Sequence, residues 1–308
     1  TDRIRGRHGE EEIPPPAADL IDDRTQEDRG GAPNHEPERA GAAARAKPPP
    51  RGCGNGNAPS NVRATGTSRT EGASVGKTIA IATPVFFALI ALEFAIGRAR
   101  GRSNYRLNDA LNSLSLGVMS QVIGLFTKLL VFGIYAAAYA AFSIWQLPAD
   151  QWWTWALAIV AYDFCYYWNH RLGHESAIFW ASHVVHHQSQ EYNLSTALRQ
   201  TSSGALLGWI FYLPMAIAGI PPEVFAVSAV VNLLYQYWIH TEQIGSLGWF
   251  DRWFSSPSNH RVHHAVNDRY IDRNYGGISM VWDHLFGSFV DETERCVYGT
   301  RAPLDSWD

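Results

Sequence analysis

The chain has 308 residues, a formal net charge of −4 at pH 7 and a mean hydropathy of −0.17, an average that describes a soluble globular protein of one or two domains. Net charge near zero, with no basic block beyond one short arginine cluster, excludes a nucleic-acid binder. Cys53, Cys165 and Cys296 are odd in number and far apart, which excludes a disulfide framework and a zinc knuckle.

The average conceals two materials joined near residue 76. Residues 1–76 contain no Phe, Trp or Tyr, yet hold 11 of the 25 Lys and Arg, 12 of the 29 acids and 9 of the 16 prolines. Such a composition cannot bury enough apolar surface to offset its ordering entropy, and it predicts a disordered low-complexity leader over 1–76. Residues 77–308 carry every aromatic residue and read as one membrane-embedded unit. Arginine outnumbers lysine 22 to 3, a bias that points to a GC-rich bacterial genome.

Thr78–Gly97 is apolar except for Glu93 and is long enough to cross a bilayer. Arg98, Arg100, Arg102 and Arg106 follow, and the positive-inside rule places that loop in the cytoplasm. Over 107–127, Asn108, Asp109, Asn112, Ser115 and Ser120 recur at helical spacing, which predicts an amphipathic helix lying in the interface. Lys128 then opens a separate span over Leu129–Leu147; one continuous helix would bury the lysine in lipid at high cost. A turn at Pro148–Asp150 and the belt Trp152, Trp153 and Trp155 mark the far side, with a return span to Trp168. A second hairpin runs out over Leu206–Ile220, turns at Pro221–Pro222 and returns over Phe225–Ile239. The segment from Thr241 is polar and aromatic with no further span.

Two short motifs mislead. Gly72-Ala-Ser-Val-Gly-Lys-Thr78 resembles a phosphate-binding loop, but its first glycine is one residue too close and no strand precedes it. Gly276–Gly277 reads as a turn.

Ten histidines fall between residues 170 and 284, every one at the cytoplasmic side of this map. His170 and His174 form HxxxH; His183, His186 and His187 form HxxHH; His260, His263 and His264 form it again. On a helix, positions i and i+4 share a face with i+3 beside them, so each motif is expected to point two or three rings in one direction. Nine imidazoles, counting His240, are too many for one tetrahedral zinc and fit two metals with four or five nitrogen ligands each and an open position. No cysteine and no ExxH pair joins them, so neutral imidazoles would hold redox-active iron able to bind and reduce dioxygen. A lone histidine reads as a hydrogen-bonded structural residue, as His284 does. The expected fold is an all-α integral membrane protein, helical hairpins spanning the bilayer below a cytoplasmic histidine-rich helical cap with a dimetal site.

These motifs resemble the fatty acid hydroxylase/sterol desaturase superfamily of membrane di-iron oxygenases. YDFCYYWNHRLGHE (162–175), HVVHHQSQEYNLSTALRQ (183–200), YQYWIHT (235–241) and PSNHRVHHAVNDRYIDRNYGGI (257–278) resemble its alkylglycerol monooxygenase-like branch, over roughly residues 80–301. The resemblance implies two irons per chain on His170, His174, His183, His186, His187, His240, His260, His263 and His264. Gln236 stands where a further histidine is common in the wider superfamily, and is a weak oxygen ligand, a water anchor or a partner of a ligand. Metal-bound histidines donate their outer N–H to carboxylates or carbonyls, which makes Asp163, Glu175 and Asp272 candidate partners, with Glu191, Asp268 and Asp283 near other ligands. Asn193, Arg199 and Gln200 are candidates for orienting a lipid headgroup or cofactor.

The activity implied is O2-dependent hydroxylation of an aliphatic C–H in a lipid held between the spans, with glyceryl ether cleavage to aldehyde and glycerol. An external electron donor is needed, tetrahydropterin by resemblance. Hydroxylation or desaturation of a sterol, carotenoid or acyl chain is the alternative. A membrane metal transporter or sensor would string its histidines through the bilayer, whereas these crowd one side. The implied location is a multi-pass protein of the bacterial inner membrane.

Overall fold

In the computed structural model, residues 68–102 and 104–304 are described, with side chains described from Ile81 onward. The predicted leader lies outside the described residues as far as residue 67, and His8, His35 and Cys53 with it. Among the described residues the chain is helical, with only isolated bridges at Phe254–Ser279 and Ala265–Tyr298.

Helix α1 (Ser68–Ala99) begins ten residues before the apolar run, so the sequence around Gly72–Thr78 is helical and forms no anion-cradling loop. Glu93 is buried at its far end. It accepts hydrogen bonds from the Tyr105 hydroxyl at 2.5 Å, the Leu194 amide at 2.8 Å and the Thr241 hydroxyl. The acid of the first apolar helix thereby ties α1 to the chain before α2, just after the 183–187 histidines and beside His240.

The second helix corrects an expectation. Residues 107–142 form one unbroken helix, α2 (Leu107–Phe142), in place of an interfacial helix followed by a span. At 1.5 Å per residue it is about 54 Å long, well beyond a hydrocarbon core of about 30 Å. The surplus length resolves the lysine problem, because side chains on a helix lean toward its N-terminus. Lys128 reaches back seven residues to donate to the Gln121 side chain at 2.9 Å, carrying its charge toward the polar end.

Helix α3 (Trp152–Glu175) returns, and Ser176 separates it from α4 (Ala177–His187). A single turn, α5 (Leu194–Ala197), is capped by Asn193, whose carboxamide accepts from the Ser195 amide. The arm expected as one span at 206–220 is broken into α6 (Ala205–Gly208), a 3-10 turn (Trp209–Tyr212) and α7 (Leu213–Ile217). Pro214 within the first turn of α7 lacks the amide that a continuous helix would use. Helix α8 (Pro222–Trp238) comes back, followed by α9 (Trp249–Trp253), α10 (Pro257–His264) and α11 (Val281–Phe286).

Two segments, Ile81–Ala99 and α2, are long and apolar enough to cross a bilayer, and most of the surface of each is exposed. The helices divide into two ends. At one, Tyr135 donates to the Ile220 carbonyl and stacks on Phe225, and Gly219 lies against the Trp145 carbonyl. Gly219 has φ +87°, and a Cβ there would stand 1.9 Å from the Trp145 oxygen, so only glycine fits. The opposite end gathers the close of α1, the start of α2, the ends of α3 and α8, and all of α4, α5 and α10.

Candidate metal centre

Helix α3 has two faces. Tyr166, Tyr167, His170 and His174 share one, while Leu157, Ala161, Phe164, Trp168 and Leu172 share the opposite one. The apolar face lines an open groove of about 690 Å³ shared with the broken arm (Ile210, Phe211, Pro214), and none of the histidines lines it. The groove therefore sits behind α3, away from the imidazoles.

The structure brings all nine predicted histidines together, as two groups. His170, His174, His183, His187 and His263 form one, and His186, His240, His260 and His264 form the other; within each, one nitrogen per ring lies within 4.8 Å of the rest. This division differs from the expectation that each motif points one way. In each HxxHH the i and i+4 pair stays together and the middle histidine crosses over. His183 and His187 face the five-membered group while His186 faces the four; His260 and His264 face the four while His263 faces the five. At 100° per residue, i and i+4 diverge by only about 40°, whereas the histidine just before i+4 points about 100° away from it. Helices α4 and α10 each thus serve both groups, and neither group can form from one motif.

The outer nitrogens fix the tautomers. His186 Nδ1 meets the Arg199 carbonyl at 2.8 Å and His240 Nδ1 meets the Gln236 carbonyl at 2.8 Å. A carbonyl only accepts, so both Nδ1 atoms carry hydrogen and both Nε2 atoms present lone pairs. Those lone pairs face each other at 3.2 Å. His260 Nε2 stands 3.0 Å from His240 Nε2 and 3.2 Å from His264 Nε2. In the other group His170 Nδ1 donates to the Tyr275 carbonyl at 2.8 Å, and its Nε2 lies 3.1 Å from His183 Nε2, which is 3.1 Å from His187 Nε2. Buried His174 Nε2 and His263 Nε2 have no hydrogen-bond partner. Two nitrogens bound to one metal at about 2.0–2.1 Å stand about 3 Å apart when at right angles, so the donor set fits metal ions. Without a cation, burying facing lone pairs is unfavourable.

Burial holds these imidazoles neutral. His170, His183, His187, His240, His260, His263 and His264 are pushed well below the ordinary histidine value, chiefly by desolvation and then by neighbouring rings. His186 is lowered to about 4, and His174 is lowered despite Asp272 beside it. Neutral imidazole is the form that binds a transition metal.

The carboxylates predicted beside the histidines divide. Asp272 lies 3.5 Å from His174 Nδ1. Asp163 is a correction: it shares a face with His170 but sits about 10.5 Å along the axis. There it accepts from the Ile278 amide (2.7 Å), the Ser279 amide (3.1 Å) and the Trp282 indole (2.9 Å), bracing the segment after Tyr275. Glu175 pairs with Arg171 at 2.9 Å on the exposed side, because one residue beyond His174 the helix has turned away from the rings. Gln236 supplies its carbonyl to His240, while its side chain accepts from the Tyr166 hydroxyl at 2.6 Å and donates to Asn232. Arg199 likewise acts through its carbonyl, its guanidinium donating to the Val185 carbonyl and Gln188. Gln200 bonds the Ala197 carbonyl, Glu191 pairs with Arg106 and exposed Asp268 with Arg301. Asp283 supports the loop before α11 through the Tyr275 and Gly276 amides. His284 stacks on Phe289 away from both groups and bonds the Arg252 carbonyl.

Residues the sequence reading passed over complete the frame. Arg261, between His260 and His263, turns outward to Glu292 (2.6 Å) and the Thr241 and Ile244 carbonyls. Asn274 is buried and bonds the Asn259 and Val290 carbonyls. Glu93 did carry a signal, being the one acid in an apolar run.

Residues 155–288 match the fatty acid hydroxylase family. The chain is 45% identical over 228 residues to the alkylglycerol monooxygenase of Homo sapiens, covering 74% of this chain and 51% of the relative. It is 44% identical over 235 residues to that of Danio rerio (76% and 52%) and 44% over 227 residues to that of Xenopus tropicalis (74% and 51%). The chain thus spans about half the length of these curated relatives. No solved structure matches.

Proposed function

We propose that this chain, which belongs to the fatty acid hydroxylase family through residues 155–288, is a membrane-bound lipid monooxygenase that cleaves glyceryl ethers, as the names of its relatives suggest for them. The observation that carries the reading is the pair of facing lone pairs on His186 and His240, one of several nitrogen contacts that call for a cation. We take the nine histidines as ligands of two irons, five on one and four on the other. When bound, the iron pair supplies activation of O2, so that one oxygen atom enters the C–H bond beside the ether oxygen and the other leaves as water, with two electrons and two protons from an external donor. The resulting hemiacetal collapses to aldehyde and glycerol.

The chain's own residues hold and orient. The Arg199, Gln236, Tyr275 and Arg273 carbonyls fix the ring planes, and the protein keeps water from the buried imidazoles. The exposed apolar surfaces of Ile81–Ala99 and α2 support insertion in a bilayer, and the arginines at 98–106 support a cytoplasmic histidine end. The reacting carbon approaches on the histidine face of α3, so the groove behind that helix is no part of the reaction path. Tetrahydropterin is the electron donor we assign.

Detergent-purified protein should contain about two irons per chain and convert an alkylglycerol to aldehyde and glycerol with O2 and tetrahydropterin. Zinc alone with no oxygen uptake would sink the oxygenase reading. Iron with O2 uptake but no aldehyde above control would instead assign a sterol, carotenoid or acyl-chain hydroxylase or desaturase.

A further inference from the structure

We propose that the loop Asp272–Tyr275 is a positioning device dedicated to the five-histidine group, setting how tightly that group holds its metal while leaving the four-histidine group untouched. The inference rests on the two-metal reading above and adds which residues aim the rings.

Within four consecutive residues, three take the outer nitrogens of three histidines. The Tyr275 carbonyl accepts from His170 Nδ1 at 2.8 Å and the Arg273 carbonyl accepts from His263 Nδ1 at 3.1 Å. The Asp272 carboxylate faces His174 Nδ1 at 3.5 Å, and that contact holds Asp272 below the usual carboxylate range. All three histidines belong to the five-membered group. The other group finds its outer partners elsewhere, at the Arg199 carbonyl after α5 and the Gln236 carbonyl on α8.

The backbone of the loop is shaped for this task. Asp272 (φ +57°) and Asn274 (φ +56°) are the only non-glycine residues in the left-handed region among those described. Asp and Asn tolerate it best, since their short polar side chains find local hydrogen bonds. Each left-handed residue immediately precedes one of the two carbonyl-bearing residues, Arg273 and Tyr275. The conformation is clamped from both sides. Asn274 donates to the Val290 carbonyl at 2.8 Å and accepts from the Val290 amide at 2.8 Å. Asp283, fully buried, accepts from the Tyr275 and Gly276 amides at 2.7 and 2.8 Å. Unusual backbone held this firmly beside ligands is where positional accuracy matters.

The Asp272 side chain is half exposed, so replacing it opens no core. Asp272→Gly keeps the left-handed backbone and removes the carboxylate; Asp272→Asn keeps an accepting oxygen. The test is a titration of metal-free protein in detergent with Co(II) alone against a competing chelator, bound ions being counted by elemental analysis. Wild type should bind two ions. Asp272→Gly should weaken one ion by about 10- to 100-fold and leave the second at wild-type affinity, with Asp272→Asn recovering most of the loss. In a His240→Ala background, which retains the five-histidine ion, Asp272→Gly should weaken the one remaining ion. In a His170→Ala background it should leave the remaining ion unchanged.

Equal weakening of both ions by Asp272→Gly, or wild-type affinity for both, overturns the proposal. A wild-type chain that binds fewer than two ions overturns the two-metal reading itself, and this proposal with it.

Discussion

A buried carboxylate need not touch a histidine of the two groups to matter to it. Asp163 receives two backbone amides and an indole N–H from residues 278–282, and so anchors the chain just beyond Tyr275, whose carbonyl holds His170. Hydrogen bonds to a charged group contribute about 1.5–3 kcal/mol each, and an amide in place of the carboxylate leaves one donor facing an N–H. Asp163→Asn should lower the thermal unfolding midpoint in detergent by the equivalent of about 1.5–3 kcal/mol. An unchanged midpoint would remove Asp163 from this role. The contrast is His284, which stacks on Phe289 and faces neither group, whereas His240, equally without a partner at helical spacing, joins the four-histidine group.

Among the helices, α2 is where local reasoning and tertiary structure part company. Its polar residues near the start were read as the wet face of an interfacial helix. Asp109 instead faces Ser189 and Arg199 inside the protein, and Ser113 and Ser120 are buried. Periodicity reports that a helix has a polar face but not whether water or protein meets it. At Gly117 the contact closes to the limit: a Cβ there would lie 2.4 Å from the Leu198 carbonyl oxygen. That atom is backbone and adjoins Arg199, whose carbonyl holds His186. Gly117→Ala should therefore cost about 1–3 kcal/mol and weaken metal binding at the four-histidine group, measured by unfolding and by metal titration. Normal stability together with two tightly held ions would contradict this close-packing account.

For the molecule as a whole, the histidine end is a polar interior assembled from helices that are apolar elsewhere. All eight residues of α10 are buried, three of them histidines, in a segment with little hydrophobic character to stabilise it. Metal bound by the native state alone adds about 2.7 kcal/mol when its free concentration is a hundred times Kd. Stripping the metal with a chelator should thus lower the unfolding midpoint, and restoring it should recover the loss. A midpoint indifferent to metal would show that the histidine end holds together unaided.

Histidine spacing singled out eight of the nine residues that the structure gathers, because two HxxHH motifs and an HxxxH are too specific a pattern to need tertiary information, while the ninth, His240, came from the family resemblance. The long apolar runs likewise announced α1 and α2, since length and hydropathy are local properties. Which histidine joins which group was not legible. That division depends on α4 and α10 meeting so that His186 and His263 cross to opposite groups, and a single helix fixes only the angle between its own side chains. The partners of the outer nitrogens were hidden for a related reason: most are main-chain carbonyls, which every residue possesses, and only the fold decides which of them faces a ring.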